Sequence, residues 1–315
     1  MDERPLMVSI NCTVYNHEPY LRQCLDGFVM QKTNFRFEAI VHDDASTDGS
    51  AAIIHEYAER YPDIIKPIYE SENQYSKGDG SLRRIMRNAM KGKYMAICEG
   101  DDYWTDPNKL QMQFDFMESH PDYSMCFHDV NIKAEKGRVW YDVFGKLEER
   151  DYSGMENMLK WSVPTCSIFC IGDIYKTLPF NSKFTMGDNV LILHCSRNGK
   201  IRCIPKKMGV YRLTPTSWIG GQSSKVQRYK YISHYYGLIE EFEECRCKQM
   251  YGLLEGQYFW LLTILKSEGN KAEFNRVKEE YMHYPDETHW SKFKCFYLKS
   301  KFRYALKKVF SYLRS

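Results

Sequence analysis

The chain has 315 residues, 43% of them hydrophobic and 27% charged, which is enough to bury a sizeable core and too apolar for a disordered protein. Its 11 cysteines are odd in number and scattered, and neither Cys166/Cys170 nor Cys245/Cys247 has zinc-ligand spacing. A disulfide scaffold and a zinc finger are therefore excluded as expectations, and reduced thiols in a cytosolic protein are expected. The net charge of +3 hides an asymmetry, because residues 290–315 carry eight Lys/Arg and no acid, leaving 36 basic against 41 acidic side chains elsewhere.

The start, Met1-Asp-Glu-Arg-Pro5, runs straight into a strand-like segment, so no signal peptide is expected, and no apolar stretch approaches bilayer length. Residues 7–14 are apolar and β-prone, and residues 20–30 show helical spacing through Leu21, Cys24, Leu25 and Phe28. Strand signals follow at 37–42, 64–69, 94–98 and 123–128. Helical signals lie between them at 50–61, 82–90 and 109–120, the last stopped by Pro121. Alternating strands and helices predict a doubly wound, mostly parallel α/β sheet, with ligands outside the carboxyl ends of the strands. Residues 71–81 read as a polar, Gly-rich loop. Beyond 130 the pattern is mixed, with a helix at 188–198 and a strand at 201–204, and residues 222–284 are mainly helical. A boundary is expected near 215–225.

Candidate sites fall after the first, second and fourth strands. The turn Thr13-Val-Tyr-Asn16-His17-Glu-Pro-Tyr20 offers backbone amides to a pyrophosphate, though the glycine fingerprint of dinucleotide folds is absent. Asp43-Asp44-Ala-Ser-Thr-Asp48 reads either as a well-capped turn or as a nucleotide pocket in which a carboxylate accepts from a base or ribose. Glu99-Gly100-Asp101-Asp102 closes an apolar strand, and its adjacent carboxylates read either as a solvated turn or as hard oxygen ligands for Mg²⁺ or Mn²⁺ against phosphate. Gly187-Asp188 reads either as a helix cap or as a general base, with the helix dipole depressing its pKa and burial opposing. His42, His128 and His194 read as packed core residues, and His17 lies in a loop suited to phosphate contact.

Three segments together resemble the family 2 glycosyltransferases of the GT-A fold: Val8-Ser-Ile-Asn-Cys-Thr-Val-Tyr-Asn16, Ile40-Val-His-Asp-Asp-Ala-Ser-Thr-Asp-Gly-Ser50 and Gly92-Lys-Tyr-Met-Ala-Ile-Cys-Glu-Gly-Asp-Asp102. The resemblance continues through Gly187-Asp188 to Gly209-Val-Tyr-Arg212 and fades after about residue 220. It implies a GT-A domain over 1–220, with 1–130 as the nucleotide-binding half and 131–220 as the acceptor half, followed by a helical region over 221–315. It implies that Val14, Asn16 and Arg212 lie against the donor, that Asp44 contacts its uracil or other base, and that Asp101 meets the ribose or a sugar hydroxyl. Asp102 would coordinate the Mn²⁺ or Mg²⁺ bridging the phosphates. Asp188 would deprotonate the acceptor hydroxyl as it attacks the anomeric carbon, giving single displacement with inversion. The Gln-X-X-Arg-Trp motif of processive synthases is missing after Asp188, which argues for one sugar per encounter. Ser217 to Gly221 reads as a Gly-hinged lid over the donor.

In residues 290–315 the eight basic side chains interleave with Trp290, Phe293, Phe296, Tyr297, Phe302, Leu306, Val309, Phe310 and Leu313. This pattern suits an amphipathic segment on an anionic membrane surface, or a helix whose basic face docks on the acidic body. An acidic body repels a polyanion, so no nucleic-acid partner is expected. The expectation is an enzyme at the inner face of the cell membrane, using a nucleotide-sugar donor, a UDP-sugar as the resemblance implies, and a lipid-linked or surface-glycan acceptor. Two alternatives remain: a sugar nucleotidyltransferase, which would carry a Gly-rich, basic loop after the first strand, and a membrane-tethered binding protein without turnover.

Overall fold

The computed structural model describes residues 3–135, 144–214 and 223–282. The chain begins with β1 (Leu6–Val14), α1 (Glu18–Val29), β2 (Arg36–Asp43), α2 (Ser50–Arg60), β3 (Ile65–Tyr69), α3 (Ser81–Ala89) and β4 (Tyr94–Ile97). Then come β5 (Tyr103–Trp104), α4 (Lys109–Ser119), β6 (Tyr123–Ala134), β7 (Asp151–Tyr152), α5 (Gly154–Lys160), β8 (Phe169–Ile171), α6 (Gly172–Lys176), α7 (Gly187–Asn198) and β9 (Lys200–Leu213). Helices α8 (Ser224–Glu241), α9 (Lys248–Ser267) and α10 (Lys271–Met282) complete the described chain.

One sheet runs β3-β2-β1-β4-β8-β6-β9-β5, with β7 also on β9. Its first four strands are mutually parallel. Seven of the eight residues of β2 are buried, the pattern of a strand covered by helices on both faces. Past β4 the pairing turns antiparallel through β8, then β6 and β9 run parallel. The α/β architecture with helices following the sheet is the one expected, with the short strands β5, β7 and β8 added to it. Strands of two or three residues are too short to show alternation, so they escape a periodicity reading. Strands β6 and β9 also extend well beyond 128 and 204, and their ladder continues to Ala134 and Leu213 across register shifts around Asp129.

The carboxyl ends of β1, β2 and β4 share one edge. β1 is flanked by β2 on one side and β4 on the other, so the chain reverses its strand order there and leaves a crevice. Val14 pairs with Asp43, and the Asp44 amide donates to the Val14 carbonyl at 2.9 Å. On the other side the Cys98 and Gly100 amides donate to the carbonyls of Asn11 and Thr13, both at 3.1 Å, prolonging the β1 ladder into the acidic loop.

Residues divide into two compact units, 1–257 and 258–315. In the second, Tyr258 and Tyr281 rings lie 5.3 Å apart and the Tyr258 hydroxyl donates to Glu280 Oε1 at 2.8 Å. The basic segment 290–315 lies outside the described residues. No described helix is long and apolar enough to cross a membrane.

Candidate active site

At the end of β1, Asn16 takes a left-handed conformation (φ 56°), which Asn tolerates better than most residues. Its Oδ1 accepts from the Thr47 amide at 2.8 Å, and its own amide donates to Ser46 Oγ at 2.9 Å. The His17 and Glu18 amides donate to Ser50 Oγ and Asp48 Oδ2, both at 3.0 Å. These amides are thus spent on joining the two strand-end turns, and the turn does not present them to a phosphate. His17 stays beside Asp101 and Asp48; burial pulls its pKa down while those two carboxylates oppose. His42 and His128 are enclosed, whereas His194 is partly exposed, with Thr177 Oγ1 at 3.2 Å.

Asp44 is buried. Its Oδ1 accepts from the Gln74 amide at 2.6 Å and its Oδ2 from the Tyr75 amide at 3.0 Å. The carboxylate therefore holds the 71–81 loop over the strand ends, and each oxygen keeps a further lone pair.

The acidic loop is pressed onto the β1–α1 turn. A Cβ on Gly100 would lie 2.8 Å from His17 Nδ1 and 2.9 Å from Val14 Cγ2. The two aspartates differ. Asp102 is buried and its Oδ1 accepts from the Arg212 amide at 2.7 Å. Burial first, then Asp101 and Glu99, push its carboxyl well above the usual range, against the Arg212 amide and the Cys166 thiol. Asp101 is partly exposed. Glu99 is reached by solvent, yet surrounding protein, then Asp101 and Asp188, push its carboxyl up to about 8.

Arg212 stands behind this loop. Its guanidinium is enclosed, 4.4 Å from the Tyr103 ring and 5.2 Å from the Tyr20 ring. It donates to the Asp101 carbonyl at 2.7 Å and to Gln23 Oε1, and its Nε lies 3.1 Å from Glu135 Oε1. So placed, Arg212 braces the acidic loop from within. The lid expected at Ser217 to Gly221 lies outside the described residues.

Asp188 occupies the first turn of α7. Burial raises its pKa, opposed by the Asn189 amide and the Thr165 hydroxyl, which sits 3.4 Å from Asp188 Oδ2. Burial thus outweighs the helix terminus. The Tyr211 hydroxyl feels Asp102, Glu99, Asp101 and Asp188 together, after burial itself, and is held well above its ordinary pKa. Four carboxyls from two distant segments therefore act electrostatically on one phenol. The fold brings Asp101, Asp102 and Asp188 together here, with Val14, Asn16 and Asp44 on the adjoining β1–β2 edge. Three neighbours were given no role from sequence, although Glu99 and Tyr211 lie in segments quoted there: Glu99, Tyr211, and Tyr231 of α8, whose phenol is pushed up by burial and by Asp188.

A mixed sheet with acidic side chains at the ends of its parallel strands and a carboxylate at a later helix start is an α/β architecture with its candidate site at the carboxyl edge. The family pattern "Glycosyl transferase family 2" matches residues 9–175, and the chain belongs to that family, which groups inverting hexosyltransferases. It is 36% identical over 209 residues to an uncharacterized protein of Mycobacterium tuberculosis, covering 65% of this chain and 58% of that one. It is 31% identical over 164 residues to the Escherichia coli UDP-Glc:alpha-D-GlcNAc-diphosphoundecaprenol beta-1,3-glucosyltransferase WfaP, covering 52% and 58%. The chain thus spans under two thirds of the length of these relatives. In fold it is similar to S. aureus TarS in complex with UDP-GlcNAc (TM-score 0.56, 16% identity, 88% of this chain and 92% of that one). It is also similar to the mannosyltransferase PcManGT from Pyrobaculum calidifontis in complex with GDP-Man and Mn²⁺ (TM-score 0.55, 14% identity, 93% and 85%).

Proposed function

We propose that the protein moves a single sugar from a uridine-diphosphate donor to a hydroxyl of a lipid-linked or surface-glycan acceptor, with inversion at the anomeric carbon. The observation that carries this reading is that Asp188, from a distant helix start, is close enough to act electrostatically on Glu99 and, with Asp101 and Asp102, on the Tyr211 phenol. WfaP, by its name, uses UDP-Glc and a diphosphoundecaprenol-linked sugar, and TarS was solved with UDP-GlcNAc; both support a uridine donor and the former a lipid-linked acceptor. In this reading residues 1–130 bind the donor, 131–220 receive the acceptor, and 221–315 form a helical addition.

Asp44 accepts from the base N–H with the lone pairs left over from the Gln74 and Tyr75 amides. Val14 and Asn16 shape the adjoining wall. Asp188 takes the proton of the acceptor hydroxyl as that oxygen bonds to the anomeric carbon and the bond to the diphosphate breaks. A positioned carboxylate base contributes roughly 10²–10⁴-fold.

The acidic loop fits a divalent cation. Glu99, Asp101 and Asp102 supply hard oxygens, and their mutual repulsion holds the Glu99 and Asp102 carboxyls upward, a repulsion that such an ion relieves. Among the described residues no group of three His, Cys, Asp or Glu is arranged as a metal site, so diphosphate oxygens would complete the shell around Asp102, with Asp101 beside it. A bound Mn²⁺ or Mg²⁺ neutralises the charge of a diphosphate leaving group as a Lewis acid. Arg212 holds the loop for this from behind.

Incubating the purified protein with Mn²⁺ and a panel of UDP-sugars tests the reading: UDP release is expected, and Asp102→Ala should abolish it. Asp188→Asn should keep UDP binding and lose transfer. Unchanged turnover in Asp102→Ala would refute the metal role, and loss of UDP binding in Asp188→Asn would make Asp188 structural.

A further inference from the structure

Beside the carboxylate cluster stands a group of rings with no role so far. Trp161 follows α5 and adopts φ 47°, ψ 64°, a left-handed conformation that costs a bulky residue about 1–2 kcal/mol. Glycine or asparagine would hold that backbone more cheaply, so the cost points to a use for the indole itself. Its ring lies 5.6 Å from that of Tyr211 at an interplanar angle of 82°, and 5.2 Å from Phe144. Phe144 is buried and also meets Tyr211 at 5.7 Å, wedging both rings, whereas Trp161 and Tyr211 are each partly exposed.

The turn that carries Trp161 is fastened to the helix start that carries Asp188. The Trp161 amide donates to the Asn157 carbonyl at 2.7 Å, and the Val163 amide donates to Asn157 Oδ1 at 2.9 Å. The Asn157 side-chain amide in turn donates to Asn189 Oδ1 at 3.0 Å, one residue past Asp188. Thr165, two residues beyond Val163, reaches Asp188 Oδ2 at 3.4 Å. Asn157 therefore fixes an aromatic side chain relative to the candidate base.

We propose that Trp161, steadied by Tyr211 and Phe144, is the platform on which a pyranose ring of the acceptor stacks while its hydroxyl faces Asp188. This inference rests on the transferase reading and names the chemistry of its acceptor site. A pyranose presents a face of axial C–H bonds, slightly positive, to the negative face of an aromatic ring. Its hydroxyls point outward from the ring edge, where Asp188 and the Tyr211 phenol stand. A platform of this kind selects a sugar acceptor over an amino-acid or phosphate acceptor, neither of which has such a face. Asn157 is a positioning residue.

Saturation-transfer NMR on the full chain, with methyl β-glycosides of glucose, galactose and N-acetylglucosamine in the presence of UDP and Mn²⁺, tests this. Saturation is expected on the ring C–H protons of one face of at least one glycoside. It should fall about 5-fold in Trp161→Ala and be largely kept in Trp161→Phe, a drop in keeping with the loss of one aromatic stack. Trp161→Gly, which relieves the backbone, should lose it as Trp161→Ala does, so a folding defect is told apart from a missing ring. Glycoside saturation that persists in both Trp161→Ala and Trp161→Gly overturns the proposal, as does the absence of saturation on every glycoside with the native chain. UDP signals in the same spectra report the donor site separately. If they fail while the Trp161-dependent glycoside signal stands, the uridine donor is wrong and the platform is kept.

Discussion

Asp188 is pulled in two directions, by helix amides that favour its anion and by burial that favours its acid, and burial prevails. A general base must be ionised, so transfer should fade as pH drops through a pKa lying above the 3.8 of an ordinary aspartate. A pH profile of kcat checks this, and an acid limb at the ordinary aspartate value would count against Asp188 as the base. Glu99 carries a second consequence. Its folded pKa of about 8 exceeds the 4.5 of an ordinary glutamate, so the folded state holds the proton more tightly. The stability it contributes is full below 4.5 and is lost as pH rises towards 8. Metal-free protein should therefore melt at progressively lower temperature between those limits, and Glu99→Gln should flatten that slope, as read by scanning calorimetry. Mn²⁺ binding to the folded state should restore the loss at the alkaline end. The aspartates of this site are legible in sequence because strand ends and helix starts put them at fixed places along the chain. Tyr211 and Trp161 are not, since their meeting depends on β9 returning beside a turn some fifty residues earlier in the chain.

At the scale of elements, the acidic loop works because it is squeezed between β1 and its own sequel. The Gly100 amide extends the β1 ladder, and the space where a side chain would stand is filled by His17 and Val14. Gly100→Ala must push that turn away, at a cost of about 1–3 kcal/mol for overpacking. Its φ lies outside the left-handed region, so the cost is contact and not backbone conformation. A lowered denaturation midpoint together with weaker UDP binding is expected; a variant as stable and as tight as the parent would show that the loop does not need this contact. The strands that build this crevice are legible from their apolar runs, and so are helices α1 to α4. Helix α1 begins at Glu18, two residues before the expected start at 20, because Pro19 fits its first turn. The second half of the sheet is harder to read. In β9 the polar pair Lys206 and Lys207 interrupts the apolar pattern at the place where its register on β6 shifts, so periodicity alone ends the strand too early.

For the whole molecule, the charge asymmetry is the feature that neither fold nor family accounts for. An acidic body of 36 basic and 41 acidic side chains precedes a segment, 290–315, with eight basic residues and no acid. A lipid-linked acceptor would lie at an anionic surface, where each Lys or Arg contributes about 1 kcal/mol and the interleaved aromatic residues add apolar burial. Docking of the same segment on the acidic body would instead hide those charges. Replacing Lys299, Lys301, Arg303, Lys307 and Lys308 with Gln in the full chain separates the two. If the segment faces lipid, the native chain should co-sediment with phosphatidylglycerol-containing vesicles and the substituted chain should not. The native binding should weaken steeply as salt shortens the Debye length from about 10 Å to about 3 Å, while UDP binding stays unchanged. If the segment docks on the body, vesicle binding should be absent in both chains, and the substituted protein should melt at a lower temperature.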